Sequence, residues 1–225
     1  MNDQPLVRAR DAARTFGRGG SAVVAVHGVT CDIDAGARIA LTGPSGSGKT
    51  TLLHLLAGLD LPTAGSVDWP AIGERAALRP AAVAVVFQAP SLIPSLNVVE
   101  NVALPLLLQS VDRYSARLAA VDALTRLGLI DLVHSLPEEL SGGQAQRVAA
   151  ARAMAGRPRL ILADEPTGQL DGVNGLLVIE ALIHAADRSG AALVVNTHDP
   201  EVAAQLDQIW SMSSGRLLQC EPARR

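Results

Sequence analysis

Short apolar runs recur along the chain, and stretches in which apolar residues follow a helical spacing separate them. These runs cover residues 38–42, 82–87, 160–163 and 191–196. Parallel strands are buried on both faces, so they are almost continuously apolar and need long, usually helical, connections. The pattern therefore predicts an α/β fold with a parallel-sheet core, built from about 36–88 and 157–218.

The amino-terminal segment has a different pattern. Between Leu6 and Ile33, shorter apolar runs are interrupted by glycines, among them Gly17 and Gly28. Short strands punctuated by glycine are typical of antiparallel hairpins. We predict an antiparallel β-subdomain over about residues 5–35.

A third pattern, over about residues 89–156, is helical. The segment 113–127 has apolar residues at helical spacing and ends at Gly128, a residue type common just after a helix. The alanine-rich segment 148–154 predicts a second helix. Pro105 lies in an apolar run and is expected to kink or break the helix that forms there. The segment as a whole predicts a helical subdomain inserted into the sheet core.

Composition limits the class of protein. A chain of 225 residues that is 48% hydrophobic can bury the core of one large domain, which we assign to residues 1–225. Its apolar runs fall short of the roughly 20 residues of a membrane span, and its first residues lack the apolar region of a secretory signal, so we expect a cytoplasmic protein. Cys31 and Cys220 are too few and too separated for a disulfide framework or a zinc site. The net charge of −3, without a basic tract, predicts no nucleic-acid partner.

A glycine-rich loop separates the predicted strand 38–42 from a helical run. The loop and the residue after it are Gly43, Pro44, Ser45, Gly46, Ser47, Gly48, Lys49, Thr50 and Thr51. This is the P-loop pattern, in which backbone N–H groups and a helix N-terminus surround phosphate groups. Lys49, the one lysine of the chain, is predicted to reach the β- and γ-phosphates, and the Thr50 hydroxyl to bind Mg²⁺. The predicted ligands are therefore ATP and Mg²⁺.

Two adjacent carboxylates, Asp164 and Glu165, follow the apolar run 160–163. Ligands of open α/β sheets bind at the carboxyl edge of the strands, where these side chains emerge. Successive strand residues point in opposite directions, so the two acids are expected to have different roles. We assign Asp164 to Mg²⁺, through a water molecule, and Glu165 to the water that attacks the γ-phosphate.

A further motif lies at residues 140–147, at the start of a predicted helix. Its residues Ser141, Gly142, Gly143 and Gln144 resemble the signature motif of the ABC ATPases. The resemblance implies a P-loop NTPase core of the RecA-like type. It also implies that these residues contact the γ-phosphate held by the P-loop of a second ABC ATPase subunit, which we expect to be another copy of this chain. ATP hydrolysis would then require a dimer.

Other motifs of the family follow in the expected order. Gln88 resembles the Q-loop glutamine, which contacts Mg²⁺ or the hydrolytic water and reports to a membrane partner. Asp171, at the end of the segment 168–171, resembles the D-loop aspartate, which communicates across the dimer. His198 resembles the switch histidine, which touches the γ-phosphate. Family members also stack adenine on an aromatic side chain before the P-loop; Phe16 is the candidate here, with packing inside the β-subdomain as the alternative.

Segments 58–65, 87–88 and 100–105 are similar to one branch of the family, which serves lipoprotein release, macrolide or peptide export, and control of cell-division hydrolases. This similarity implies export, extrusion or mechanotransmission through a membrane permease with a large extracytoplasmic domain, at the inner face of the cell membrane. Two alternatives stay open. One is control of a cell-wall hydrolase through a partner that transports nothing, and the other is a soluble ABC ATPase.

The loop after Gln88 contains two prolines and the apolar residues Leu92, Ile93 and Leu96. Apolar residues in a loop favour a docking surface, and in related ATPases this region accepts a short cytoplasmic helix of the permease. The alternative is that the three side chains pack beneath the helical subdomain.

Amine-selective labelling tests the P-loop assignment, because Lys49 is the one lysine. We expect the reagent to modify Lys49 and the α-amino group, and saturating Mg-ATP to protect Lys49 while the α-amino group still reacts. Peptide mass spectrometry reads both sites, so the α-amino group serves as the internal control. Equal labelling of Lys49 with and without nucleotide would contradict the assignment.

Overall fold

The computed structural model describes residues 4–168 and 170–222. Its strands are β1 (Val7–Phe16), β2 (Val23–Ile33), β3 (Arg38–Thr42), β4 (Ala64–Asp68), β5 (Val83–Val86), β6 (Leu160–Asp164), β7 (Ala192–Asn196), β8 (Gln208–Ser213) and β9 (Arg216–Pro222). Its α-helices are α1 (Lys49–Leu56), α2 (Val98–Leu108), α3 (Arg113–Arg126), α4 (Gly142–Ala155), α5 (Gly172–Ser189) and α6 (Pro200–Ala203).

A six-stranded sheet forms the centre of the fold, in the order β5-β6-β7-β3-β8-β9. The strands β5, β6, β7, β3 and β8 are parallel, and β9 pairs with β8 in the antiparallel direction. The predicted α/β class with a parallel core is therefore confirmed. All four apolar runs form strands of this sheet, whereas β8 and β9 were not predicted.

Both faces of the central sheet are covered. Along β6, Ile161 and Ala163 face the side on which α2, α3, α4 and α5 pack, while Leu160 and Leu162 face α1 and the antiparallel strands. This alternation follows from the two-residue period of a strand, and all four side chains are fully buried. Burial on both sides explains why the sequence of β6 is continuously apolar.

The antiparallel sheet has the order β2-β1-β4. Its first two strands are longer than the sequence suggested, because Gly28 lies inside β2 instead of ending it. The residue has a positive φ of 60°, and the pairing register shifts between Ala12↔Val29 and Arg14↔Val26, which is a β-bulge. The third strand, β4, comes from residues 64–68 and lies beyond the predicted range of about 5–35 for the β-subdomain.

The helical subdomain consists of α2, α3 and α4, which pack on one another through an apolar core. Helix α2 runs through Pro105 as one helix, so the expected break is wrong. Proline removes one backbone hydrogen bond, and the burial of Val98, Val102 and Leu106 along the same helix offsets that loss. Within the described ranges, no helix is long and apolar enough to cross a membrane.

Candidate nucleotide site

The P-loop, residues 43–48, connects the end of β3 to the start of α1. Two of its three glycines, Gly43 and Gly48, are required because the loop backbone lies directly against two other strands there. A Cβ at Gly43 (φ 140°) would overlap the carbonyl oxygen of Met212 in β8, and one at Gly48 (φ 96°) would overlap that of Ala25 in β2. The loop is therefore fixed between the central and the antiparallel sheet.

Lys49 begins α1 and is only 6% exposed. Its ammonium group donates hydrogen bonds to the carbonyl oxygens of Gly43, at 2.9 Å, and Pro44, at 3.0 Å. These contacts fold the side chain back over the P-loop, so that the positive charge lies beside the N-terminus of α1. Both features favour an anion at this position.

The carboxyl edge of the sheet brings the polar side chains of Asp164 and Asn196 next to Thr50 of α1. Asp164 at the end of β6 pairs in register with Asn196 at the end of β7, and the Asn196 amide donates to the Asp164 carboxylate. The Thr50 hydroxyl donates to the same carboxylate at 3.2 Å. Thr50 and Asp164 thus form a pair of hard oxygen ligands of the type that Mg²⁺ prefers.

Glu165 leaves the sheet through an unusual backbone conformation with a φ of 43°. Its N–H donates to the carbonyl oxygen of Asn196 at 2.9 Å, which keeps the residue beside β7 after the strand has ended. The Glu165 carboxylate lies 3.5 Å from Nδ1 of His198, and the two side chains are 24% and 71% exposed. Glu165 and Asp164 therefore face different surroundings, because the chain turns out of the strand between them.

These groups surround one open cleft of about 660 Å³. Residues of the P-loop, the ends of β6 and β7, and Gln88 after β5 all contribute to its wall. The lining residues are Ala25, Gly43, Pro44, Ser45, Gly46, Gly48, Lys49, Thr50, Thr51, Gln88, Glu165, Asn196 and His198. Two predicted residues, Ser47 and Asp164, are buried and do not line the cleft themselves.

The other predicted residues lie outside this cleft. Ser141 begins α4, and its side chain accepts from the Gln144 N–H while the Gln144 side chain accepts from the Ser141 N–H, a capping box. This leaves Ser141 and Gly142 at an exposed helix N-terminus, with Gly143 beside them. Such a terminus is suited to binding an anion.

Asp171 caps α5 by accepting from the Asn174 N–H at 2.8 Å. Hydrogen bonds from Asn174 lower the pKa of Asp171 below its ordinary value. A lowered pKa means that this cap stabilises the fold above the pKa of the unfolded chain and is lost as the pH falls through the folded value. Gln169, within the same motif, lies outside the described residues.

Phe16 ends β1 and is 44% exposed. It does not line the cleft, although its pairing partner Val23 lies two residues before Ala25, which does. The Arg14 guanidinium lies 4.6 Å from the centre of the Phe16 ring and covers one face of it. One aromatic face of Phe16 is therefore already used inside the β-subdomain, and its contact with adenine stays a prediction.

Sequence reasoning missed two residues of the cleft, Asn196 and Ala25. Asn196 ends an apolar strand two residues before His198, and that position was the available signal. Its contact with Asp164 depends on the parallel register between β6 and β7, which the sequence does not specify. Ala25 has no polar side-chain group, so its residue type gave no signal.

A glycine loop between a parallel strand and a helix, beside carboxylates at the same sheet edge, defines the class of P-loop nucleoside triphosphatases. Comparison with known families shows to which family within this class the chain belongs. The family model described as "ABC transporter" matches residues 26–168, more than half of the chain. The chain belongs to the ABC transporter family, whose ATP-binding subunits hydrolyse ATP.

Relatives and solved structures agree with this assignment. An uncharacterized ABC transporter ATP-binding protein of Mycobacterium tuberculosis is 38% identical over 97% of this chain and 91% of its own length. The lipoprotein-releasing system ATP-binding protein LolD of Bordetella avium is 40% identical over 96% of both chains. The ATP-binding cassette MJ0796, a post-hydrolysis dimer with ADP and Pi, superimposes with a TM-score of 0.89 at 33% identity, covering 97% of this chain and 99% of its own.

Substitution of two P-loop glycines tests the close contact described above. Gly48→Ala combines a left-handed φ with overlap on Ala25, whereas Gly46→Ala has a similar φ of 76° but nothing within 4 Å of its Cβ. We expect Gly46→Ala to lower the free energy of unfolding by about 1–2 kcal/mol and Gly48→Ala to lower it by at least about 3 kcal/mol. Urea denaturation without nucleotide measures both. Equal losses would contradict the role of the backbone contact.

Proposed function

We propose that this chain closes with a second copy around two ATP molecules and uses their hydrolysis to drive a membrane permease. The observation that carries this proposal is the single cleft in which the P-loop, Lys49, Glu165 and His198 meet. Each of these groups has a role in phosphoryl transfer to water, and together they account for binding, activation of the attacking water and sensing of the γ-phosphate.

Binding begins at the P-loop. Its backbone N–H groups and the N-terminus of α1 are the donors for the phosphate oxygens, and Lys49 exchanges its carbonyl contacts with Gly43 and Pro44 for the β- and γ-phosphates. This exchange requires no large movement, because the ammonium group already lies over the loop. The exchange is favourable because the phosphate oxygens are charged, so they attract the ammonium group more strongly than neutral carbonyl oxygens do.

Glu165 is the proposed base. Its carboxylate lines the cleft beside His198, so it is in position to accept a proton from a water molecule aligned with the γ-phosphate. General-base assistance of this kind contributes about 10² to 10⁴ in rate. His198 is the proposed contact with the γ-phosphate, and its proximity to Glu165 links the base to the sensing of that group.

Thr50, Asp164 and Gln88 are the proposed Mg²⁺ ligands, and Thr50 and Gln88 both line the cleft. Mg²⁺ is commonly bound by one or two protein oxygens together with substrate phosphates and water, and it would neutralise phosphate charge here. Thr50 and Asp164 already share a hydrogen bond, and the Asn196 amide donates to the same carboxylate oxygen. Asn196 is therefore an orienting residue for the proposed ligand Asp164.

The exposed N-terminus of α4 supports a dimer. Ser141, Gly142, Gly143 and Gln144 lie outside the cleft of their own chain and present a helix end suited to an anion. In the proposed assembly, this end and Asp171 face the nucleotide held by the P-loop of the second copy. The dimeric form of the similar protein MJ0796 supports this arrangement.

A groove on the helical subdomain supports a permease partner. It has a volume of about 370 Å³ and is mostly apolar, with Leu96, Leu104 and Leu107 in its wall. Leu92 packs against the core of the subdomain, as the packing alternative predicted, whereas Ile93 is 37% exposed. We therefore place the docking surface at this groove, with Leu96 as the one member of the three loop residues that lines it.

The relatives support one type of transport over others. The LolD proteins belong to lipoprotein-releasing systems, and CbiO1 of Clostridium perfringens, with a TM-score of 0.83 at 25% identity over 98% of this chain and 90% of its own, is part of the complex CbiONQ. Greater identity to the LolD proteins supports export, extrusion or mechanotransmission through a permease with a large extracytoplasmic domain. The subunit would then lie at the inner face of the membrane through that permease.

Two substitutions test the chemistry. Glu165→Gln is expected to bind Mg-ATP with normal affinity but to lower kcat by about 10²-fold or more, because it removes the base and keeps the phosphate contacts. It is also expected to accumulate as a dimer with ATP, since blocked hydrolysis prevents reopening. Steady-state ATPase assays and light scattering measure the two effects.

Lys49→Ala is the comparison variant, and it is expected to lose tight nucleotide binding instead. Ser141→Arg combined with Glu165→Gln is expected to remain monomeric, because it places bulk and charge at the proposed contact with the second nucleotide. Near-normal turnover by Glu165→Gln would contradict the assignment of the base. A Glu165→Gln protein that stays monomeric with ATP and its permease would contradict the dimer.

Leu107→Asp tests the docking groove. Leu107 is 38% exposed at the groove wall, so a charge there is expected to weaken co-purification with the permease about tenfold or more while nucleotide binding and thermal stability stay unchanged. Leu118→Asp is the matched control, because Leu118 is 53% exposed on α3 outside the groove. Equal recovery of the permease with both variants would exclude this groove as the docking site.

A further inference from the structure

The segment that follows β5, residues 87–97, contains Gln88 and crosses from the sheet to the helical subdomain without forming a helix or strand. We call it the Gln88 loop. A loop of this kind must find partners for its backbone N–H and C=O groups without the regular pairing of a helix or strand. Within the loop, the Leu96 N–H donates to the Ile93 carbonyl oxygen, and the Glu100 side chain accepts from the Asn97 N–H. Three further side chains of the helical subdomain, those of Asn101, Gln146 and Arg152, also bond to the loop backbone.

Asn101, in α2, holds the distal half of the Gln88 loop. Its side chain is completely buried; its oxygen accepts from the Ile93 N–H at 2.8 Å, and its amide donates to the carbonyl oxygens of Ile93 and Leu96 at 3.1 and 2.8 Å. With a further bond from the same amide to the carbonyl oxygen of Asn97 at 3.2 Å, this one buried side chain bonds to four backbone groups of the loop. The distal half is fixed to α2 and moves with it.

Gln146, in α4, holds the start of the loop. The residue is fully buried, and its amide donates to the carbonyl oxygen of Phe87 at 3.1 Å, directly before Gln88. Gln146 lies in the first turns of the same helix that begins beside Ser141.

Arg152, also in α4, holds the loop on the other side of Gln88. Its two terminal nitrogens donate to Ser91, one to the carbonyl oxygen at 2.8 Å and one to the hydroxyl at 2.9 Å. No carboxylate among the described residues forms a salt bridge with Arg152, and burial lowers the pKa of its guanidinium. A half-buried charge without a counter-ion depends on such hydrogen bonds, so the contact with Ser91 is strongly preferred over its loss.

The two contacts from α4 bracket Gln88, because Gln146 binds Phe87 and Arg152 binds Ser91. Arg152 lies ten residues after Gly142, which corresponds to about 15 Å along a helix at 1.5 Å per residue. A helix transmits displacement over that distance without deforming. Movement of the exposed N-terminus of α4 is therefore carried to both sides of Gln88.

We propose that Arg152 is a positioning residue, which fixes the Gln88 loop to α4 so that the place of Gln88 in the cleft depends on where the N-terminus of α4 lies. The assignment rests on the proposed roles of Gln88 and Ser141. This role would connect two sites of one chain physically. Helix α4, whose N-terminus would contact the nucleotide of the second subunit, also positions Gln88 beside the nucleotide of its own subunit.

Hydrogen exchange of the full chain tests the contact itself. Arg152→Lys keeps the charge but removes the two-pronged contact with Ser91, and we expect amide exchange in the Gln88 loop to become about tenfold faster, which is the effect of losing roughly 1.4 kcal/mol. Arg126→Lys is the matched control, since Arg126 is exposed and bonds only to Asp122, one turn away. Native exchange in the loop of Arg152→Lys would overturn the proposal.

Ser91→Ala gives a second measurement if Arg152→Lys lowers the melting temperature. Ser91 is exposed, and its substitution removes only the bond to the hydroxyl, so the fold should be unaffected and loop exchange should rise about threefold. The proposal would be overturned if Ser91→Ala left amide exchange in the loop unchanged while Arg152→Lys raised amide exchange throughout the chain. Arg152 would then contribute to the general stability of the fold and not to the position of the loop.

Steady-state kinetics test whether Arg152 affects ATP hydrolysis through Gln88. We expect Arg152→Lys to lower kcat for ATP about tenfold with nucleotide affinity unchanged, and to have no further effect in a Gln88→Ala background. Equal losses in the two backgrounds would show that Arg152 does not act through Gln88 and would overturn the proposal. A normal kcat for Gln88→Ala alone would instead remove the proposed role of Gln88, and the exchange measurements would then decide whether Arg152 fixes the loop.

Discussion

The contact of the P-loop backbone with two neighbouring strands is the constraint on which the rest of the site depends. Gly43 lies against the carbonyl of Met212 in the central sheet, and Gly48 lies against that of Ala25 in the antiparallel sheet. Because neither position has room for a side chain, the loop has one available path between the sheets. That path sets the start of α1, and with it the positions of Lys49 and Thr50. The two sheets are thus joined at the place where phosphate is bound.

The parallel register of the central sheet supplies the second half of the site. Asp164 and Asn196 are in register at the ends of β6 and β7, so their side chains meet beside Thr50. Glu165 then turns away with a positive φ and comes close to His198. One strand end therefore delivers the proposed oxygen ligand and the proposed base to different places. A sheet of parallel strands achieves this without dedicated loops, because all strand ends open on the same edge.

Much of this arrangement could be predicted from the sequence, because its signals are local. The four apolar runs and the order strand, glycine loop, helix all lie within short stretches of chain. Strands β4 and β8 gave no such signal: β4 is polar and contains Gly65, and its pairing depends on the close approach of that glycine to the backbone of Asp11. Asn196 was missed for the same reason, since its role depends on a register between strands that are far apart in sequence. Ser141 and Asp171 do not line the cleft of their own chain. Their proposed roles depend on a second subunit, so the structure of one subunit does not test them.

The burial of Asn101 has a consequence for protein engineering. A loop whose shape is set by its own turns can be exchanged between homologous proteins as a cassette, but the Gln88 loop takes its shape from side chains outside itself. A chimera that receives this loop without the matching asparagine would leave the Ile93 and Leu96 backbone groups unsatisfied, whatever sequence the graft carries. The smallest unit that can be transplanted between ATPases with a different partner is therefore the loop together with α2 and α4.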